Sequence, residues 1–116
     1  MKKIIAANWK MVVKKENLPV LAEVLQKANK ETLEVLVCPS FVHLAETAGW
    51  LRDAKIGLGA QNCFWEEHGA YTGEISAWDL QAAGCNFVLV GHSERRKYFG
   101  ETDETVNKKI DRKSVV

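Results

Sequence analysis

The stretch Ile4-Ile5-Ala6-Ala7-Asn8-Trp9-Lys10-Met11 decides how the rest of the chain is read. Its first half is continuously apolar rather than alternating, the pattern of a strand buried on both faces of a parallel sheet. Its second half turns polar at once, without the Gly-rich phosphate fingerprint that a dinucleotide-binding fold places after its first strand. The same apolar character returns at Val35-Leu36-Val37-Cys38, Ile56-Gly57-Leu58-Gly59-Ala60 and Phe87-Val88-Leu89-Val90. Helical patterns separate these runs. Leu18, Leu21, Ala22, Leu25 and Ala28 share one face at 3.6-residue spacing, with Pro19 suited to a first turn. Ser40 is placed to cap a second helix with Phe41, Leu44, Ala45 and Ala48 inward. Ser76-Ala77-Trp78-Asp79 has the form of a capping box opening a third, which stops at Gly84. Thr102 caps a fourth, with Val106 and Ile110 one turn apart. The order βαβαβαβα predicts an α/β fold with a parallel sheet and right-handed crossovers. Spacing alone leaves open whether the sheet is doubly wound or part of a barrel.

Composition narrows the function classes. A chain of 116 residues is one domain at most. Sixteen Lys and Arg against fifteen Asp and Glu leave a net charge of +1, which lacks the basic excess of a nucleic-acid footprint. With 47% hydrophobic and 27% charged residues the chain reads as an ordinary soluble domain. Cys38, Cys63 and Cys85 are an odd set with no C-x-x-C pair, which argues against a disulfide framework or a zinc site and for a reduced interior. The apolar start is shorter than the roughly 7–15 residues of a signal h-region. No run approaches the ~20 residues of a membrane span. A cytoplasmic protein with no membrane or nucleic-acid partner is expected.

One connection is unusual. Gln61 to Ile75 shows no periodic pattern and contains Gly69 and Gly73. Loops beyond about 12–15 residues are uncommon in compact domains and are usually functional or disordered. Phe64, Trp65 and Tyr71 make this one a docking loop rather than a floppy one. Trp50 and Trp78 read as core or helix-packing residues.

Parallel α/β folds gather ligands at the carboxyl ends of their strands. Three polar groups fall there: Asn8 with Lys10, Gln61 with Asn62, and His92-Ser93-Glu94. Alternation along an extended end puts Asn8 and Lys10 on one side. An ammonium beside an imidazole suits an anionic substrate whose oxygens gain charge in the transition state. A solvated lysine and a structural histidine is the plainer reading of such a pair taken alone. His92 follows Gly91 and precedes Ser93, a candidate N-cap, so the positive end of a helix opposes a second proton on its ring. A neutral imidazole still donates a hydrogen bond and exchanges a proton with a developing oxyanion. His43 and His68 read as structural or solvated. Arg95-Arg96-Lys97 reads as a solvated or interface helix face with Glu94 and Glu101 as partners. The cysteines have no adjacent base, and no cluster supports a metal.

These pieces together resemble the triosephosphate isomerase family. The resemblance is carried by Ala7-Asn8-Trp9-Lys10-Met11, Gly59-Ala60-Gln61-Asn62, Gly69-Ala70-Tyr71-Thr72-Gly73-Glu74-Ile75-Ser76 and Gly91-His92-Ser93-Glu94-Arg95-Arg96. Phe99-Gly100-Glu101-Thr102-Asp103 and Val106-Asn107-Lys108-Lys109 continue it, in the family's order, to about Ile110. It implies the first four βα units of a (β/α)8 TIM barrel with helices outside, a homodimer, no cofactor, and a phosphorylated triose as substrate. The implied reaction, in glycolysis and gluconeogenesis, interconverts dihydroxyacetone phosphate and glyceraldehyde 3-phosphate through an enediolate. By the same likeness His92 is the electrophile and Lys10 supplies positive charge. Asn8 helps position the substrate, and Glu94 is a supporting carboxylate. Gln61, Asn62, Tyr71 and Thr72 belong to a dimer-docking loop, with Thr72 reaching the partner's site.

The departure from the family is as informative. Its general base is a glutamate after a sixth strand, under a lid, and its phosphate loops follow the seventh and eighth. Neither falls within these residues. Residues 1–110 thus read as the N-terminal half of the barrel, and 111–116 as a divergent tail, with Lys113 and Ser114 where a helix wants apolar residues. A chain of this composition is expected to be inactive alone. The alternative is a non-catalytic half-barrel that self-associates or complements a second half.

Overall fold

In the computed structural model, which describes residues 2–28 and 30–111, four parallel strands follow one another across a curled sheet. They are β1 (Lys3–Asn8), β2 (Leu33–Cys38), β3 (Gly57–Ala60) and β4 (Phe87–Val88), paired in the order β1-β2-β3-β4. A doubly wound sheet reverses its strand order at a switch point. This sheet advances in one direction, as a barrel does. Registers such as Asn8 opposite Cys38 and Ala60 opposite Val88 bring the carboxyl ends to one rim.

Helices α1 (Leu18–Gln26), α2 (Leu44–Trp50) and α3 (Ala77–Ala82) occupy the connections, and α4 (Ser93–Tyr98) and α5 (Asp103–Ile110) follow β4. Pro19 sits in the first turn of α1, and Ala28 lies just past its end. Ser76 Oγ accepts from Asp79 N at 3.1 Å to start α3, and a Thr102–Thr105 capping box starts α5. The core forms where Val37, Leu58 and Ala60 of the sheet meet Ala22, Leu44, Leu51 and Leu80 from the helical side. Glycine in β3 is a packing requirement. A Cβ on Gly57 would come within 2.7 Å of the Phe87 ring, and one on Gly59 within 2.7 Å of Cys38 Sγ.

Several expectations fail for identifiable reasons. Ile4 and Ile5 are 57% and 51% exposed. β1 is a sheet edge bonded only to β2, and an apolar run is buried on both faces only where layers cover both. Trp50 and Trp78 are also about half exposed rather than core. A 3-10 turn over Phe41–His43 delays α2, and the shifted phase turns Ala45 outward and buries Thr47. Ser40 stands at the N-cap position of that 3-10 turn rather than of α2, and its side chain makes no capping bond. The regular part of β4 is two residues, extended by the Leu89 N to Ala60 O bond at 2.9 Å. Of the tail at 111–116, only Asp111 falls within the described residues.

The Gln61–Ile75 connection contains no helix or strand. It closes on itself through Phe64 N to Ile75 O at 2.9 Å and Glu74 N to Tyr71 O at 2.9 Å. The Phe64 ring packs against Trp65 and Tyr71, with centroids 4.2 and 4.7 Å away. No helix among the described residues is long and apolar enough to cross a membrane.

Candidate active site

Directly after β1 the chain enters an uncommon conformation. Lys10 has φ +50°, which costs a non-glycine residue about 1–3 kcal/mol and persists only where the surroundings over-determine it. They do so here from both sides of the residue. Asn8 Oδ1 accepts from Lys10 N at 2.9 Å. The Lys10 carbonyl accepts from Gln61 Nε2 at 2.8 Å and from Ser40 Oγ at 3.0 Å. The same Gln61 amide donates to the Cys38 carbonyl at 2.9 Å. The ends of β1, β2 and β3 are thus tied to one lysine backbone. Gln61, read from sequence as part of a docking loop, makes these contacts inside the site.

The Lys10 ammonium reaches Glu94 Oε1 at 2.7 Å. That hydrogen bond holds the Glu94 carboxyl below its ordinary range, outweighing the opposing loss of hydration. His92, not Ser93, is the N-cap of α4, because the imidazole itself takes the capping bond. Its Nδ1 accepts from Glu94 N at 3.0 Å. A ring nitrogen that accepts a backbone N–H carries no proton, so a neutral ring bears its proton on Nε2. The side chain is 29% exposed, enough to meet a ligand.

Asn8, Lys10, Gln61, Asn62, His92 and Glu94 line one cavity of about 220 Å³, walled also by Met11, Phe41 and Phe99. Drug-sized ligands take ~300–1,000 Å³, so this space is on the scale of a smaller molecule. Tyr71 and Thr72 do not line it. Neither do His43, in the 3-10 turn, and His68, whose ring lies 6.3 Å from Trp78. Among the described residues no group of three His, Cys, Asp or Glu is placed to hold a metal ion. Burial pushes the Cys38 and Cys85 thiols up to about 11, so neither is a nucleophile at neutral pH.

The basic run divides its labour. Arg95 Nε stands 3.5 Å from Glu101 Oε2, Arg96 pairs with Asp103 at 2.8 Å, and Lys97 lies over the Tyr98 ring. Glu94 serves Lys10 instead of these cations. A buried ion pair went unread in the sequence: Lys109 bonds Glu101 and also donates to Asn62 Oδ1 at 2.7 Å. Nothing local marks it, since charged residues are almost never fully buried unless paired, and pairing is invisible in one dimension.

The sequence model of the family described as "Triosephosphate isomerase" matches residues 3–114. The chain belongs to the triosephosphate isomerase family. It is 52% identical over 110 residues to the triosephosphate isomerase of Alkaliphilus metalliredigens (strain QYMF), covering 94% of this chain and 44% of that relative. The triosephosphate isomerase of Geobacter metallireducens (strain ATCC 53774 / DSM 7210 / GS-15) is 51% identical over 109 residues, 92% of this chain and 43% of its own length. That of Moorella thermoacetica (strain ATCC 39073 / JCM 9320) is 49% identical over 108 residues, with the same coverage. The chain spans less than half the length of these curated relatives. Its four parallel strands are the first four βα units of the triosephosphate isomerase barrel, which the one-directional strand order had already favoured over a doubly wound sheet.

Proposed function

We propose that this chain carries the electrophilic and cationic part of a site that interconverts dihydroxyacetone phosphate and glyceraldehyde 3-phosphate. The observation that supports it is the convergence around one cavity of Asn8, the Lys10 ammonium and a His92 whose Nδ1 is engaged as an acceptor, leaving Nε2 to donate. His92 Nε2–H donates to the substrate carbonyl oxygen as a carboxylate base takes the proton from the adjacent carbon. The resulting enediolate is reprotonated at the neighbouring carbon while His92 moves a proton between the two oxygens. No atom is gained or lost, and no cofactor is needed. Triosephosphate isomerase is an established instance of a catalytic histidine that works neutral. Lys10 offsets the phosphate and enediolate charge, Asn8 orients the substrate, and Glu94 holds the ammonium in place. The role belongs to glycolysis and gluconeogenesis in the cytoplasm, in a homodimer whose Gln61–Ile75 loop docks on the partner with Thr72 toward its site.

These 116 residues alone are inactive, since the glutamate base lies outside them and a general base contributes ~10²–10⁴-fold. A second reading, a non-catalytic half-barrel that self-associates or complements another half, is favoured by one observation. Ile4 and Ile5 are exposed along the open β1 edge, a template for pairing. Assay of the chain with and without a C-terminal half-barrel segment, alongside size-exclusion chromatography, separates the two. Isomerase activity that appears only on complementation supports the first; a defined oligomer that never gains activity supports the second. Turnover by the chain alone near the rate of a complete enzyme overturns both.

A further inference from the structure

The turn that presents His92 is held by a residue with no direct access to its ring. Gly91, immediately before His92, has φ +69°. A Cβ there would come within 3.0 Å of Val106 Cγ2 and 3.3 Å of Arg96 Nη2, so the turn is pressed between α5 and the Arg96 guanidinium. Arg96 Nε donates to the Gly91 carbonyl at 3.0 Å. The far side of the guanidinium is fixed by Asp103 Oδ1, 2.8 Å from Nη1, at the capped first residue of α5. The Arg96 backbone N–H donates to the His92 carbonyl at 3.1 Å.

We propose that the Arg96 side chain is the positioning group for His92. By gripping the Gly91 carbonyl immediately before the histidine, with Asp103 fixing its far side, it sets the direction of the His92 Cα–Cβ bond and lets Nδ1 meet Glu94 N. The Arg96 backbone bond to the His92 carbonyl is the helix's own and survives substitution. The assignment rests on His92 being the electrophile, but its geometry does not. Arg96 acts through the peptide plane. If the Gly91–His92 unit rotates, the ring loses register with its capping N–H, and the Nε2–H tautomer is no longer selected. Its ion pair with Asp103, whose side chain is 95% exposed, contributes little to stability. Loss of Arg96 should therefore disturb the ring far more than the fold.

The full chain labelled with 15N-histidine tests this through long-range proton–nitrogen spectra, His43→Gln and His68→Gln variants identifying the His92 signals. The chain as it stands should show an unprotonated, accepting Nδ1 and a protonated Nε2 on His92. Arg96→Ala should shift the His92 signals to the averaged tautomers of a solvent-exposed ring such as His68, with the thermal midpoint little changed. Arg96→Lys, which retains charge but replaces the separate Nε and Nη1 donors with a single nitrogen, should show a partial shift, and it decides the matter if the alanine variant does not fold. Wild-type His92 signals in whichever of these variants fold overturn the proposal. In a complemented, active enzyme the alanine variant should lose about 10- to 100-fold in kcat with KM nearly unchanged, since misplacement by an ångström costs about that much. An equal loss through KM alone also overturns it. Should complementation never yield activity, the spectra still decide the role of Arg96 independently of the isomerase reading.

Discussion

Lys10 and Glu94 lie 84 positions apart in sequence, yet their charged groups meet at 2.7 Å. Each is delivered by a different local device. Lys10 comes from a left-handed turn after β1 whose N–H and carbonyl are both bonded. Glu94 comes from the first turn of α4, where its own N–H is committed to His92. One short segment thus orients the imidazole with its backbone and the ammonium with its side chain.

The depressed Glu94 carboxyl follows from that ammonium and sets a pH dependence. A carboxylate whose folded value lies below its ordinary 4.5 contributes stability above that value and loses it as pH falls through the depressed one. The pair is half-exposed, so the contribution is small and screened by salt. Carbon-detected carboxyl titration should find Glu94 protonating below its ordinary 4.5. Lys10→Met should return it toward the ordinary value. An unchanged Glu94 midpoint in Lys10→Met would sink this account.

Gln61→Ala should be costly for a side chain at the edge of a cavity. Its amide bonds two main-chain carbonyls, those of Lys10 and Cys38, and each keeps a second donor (Ser40 Oγ and Trp9 N), so the loss is that of ordinary hydrogen bonds, about 0.5–1.5 kcal/mol apiece. Urea unfolding should register a loss of that order. Gln61→Glu removes the donor and turns a negative charge on two carbonyl oxygens, so it should be worse than alanine despite the closer shape. A glutamate variant as stable as the parent would contradict the clamp.

How much of this was legible beforehand depends on whether a residue's fate is local. The four apolar runs and the helices at Pro19, Ser76 and Thr102 were readable because period and caps act within a few positions. Local capping rules also misled. Ser40 and Ser93 both have the right identity for an N-cap, yet Ser40 bonds the distant Lys10 carbonyl and His92 displaces Ser93 with its own ring nitrogen. The unbroken apolar run at Ile4 and Ile5 reads as buried on both faces, and Trp50 and Trp78 read as core or helix-packing residues, but hydrophobicity says nothing of whether a layer covers them. That Asn8, Lys10 and His92 border one cavity follows from their places at strand ends. The dual grip of Gln61 and the burial of Lys109 against Glu101 needed three-dimensional neighbours.

The Lys109–Glu101 pair yields a prediction with two arms. Both side chains are almost completely buried, and removing Lys109 leaves the Glu101 carboxylate with the looser Arg95 Nε contact at 3.5 Å in place of a direct ion pair. Lys109→Met should cost about 3–5 kcal/mol in unfolding experiments. Lys109→Met combined with Glu101→Leu should recover much of that loss, because two well-packed apolar groups often match a buried ion pair. Asn62 loses its donor in either variant, which keeps the recovery from being complete. Strict additivity of the two substitutions would mean that the pair is not coupled.

The thiols titrate at the opposite end of the pH scale and with the opposite sense. Cys38 and Cys85 are buried, and loss of hydration raises both from 9.0 to about 11. A raised thiol binds its proton more tightly in the folded chain. Its contribution is fully present below the ordinary value and declines as pH rises through the folded one. Stability should therefore be insensitive to these groups at pH 7 to 8 and fall between pH 9 and 11. Iodoacetamide labelling at pH 8 should be slow for the folded chain and fast in denaturant, since the thiolate is the reactive form. Cys38→Ala should flatten part of the alkaline decline, because Cys38 is completely buried at the end of β2 and its titration must break that packing. Rapid labelling of Cys38 in the folded chain at neutral pH would show that the carboxyl ends of the strands open more readily than their packing allows.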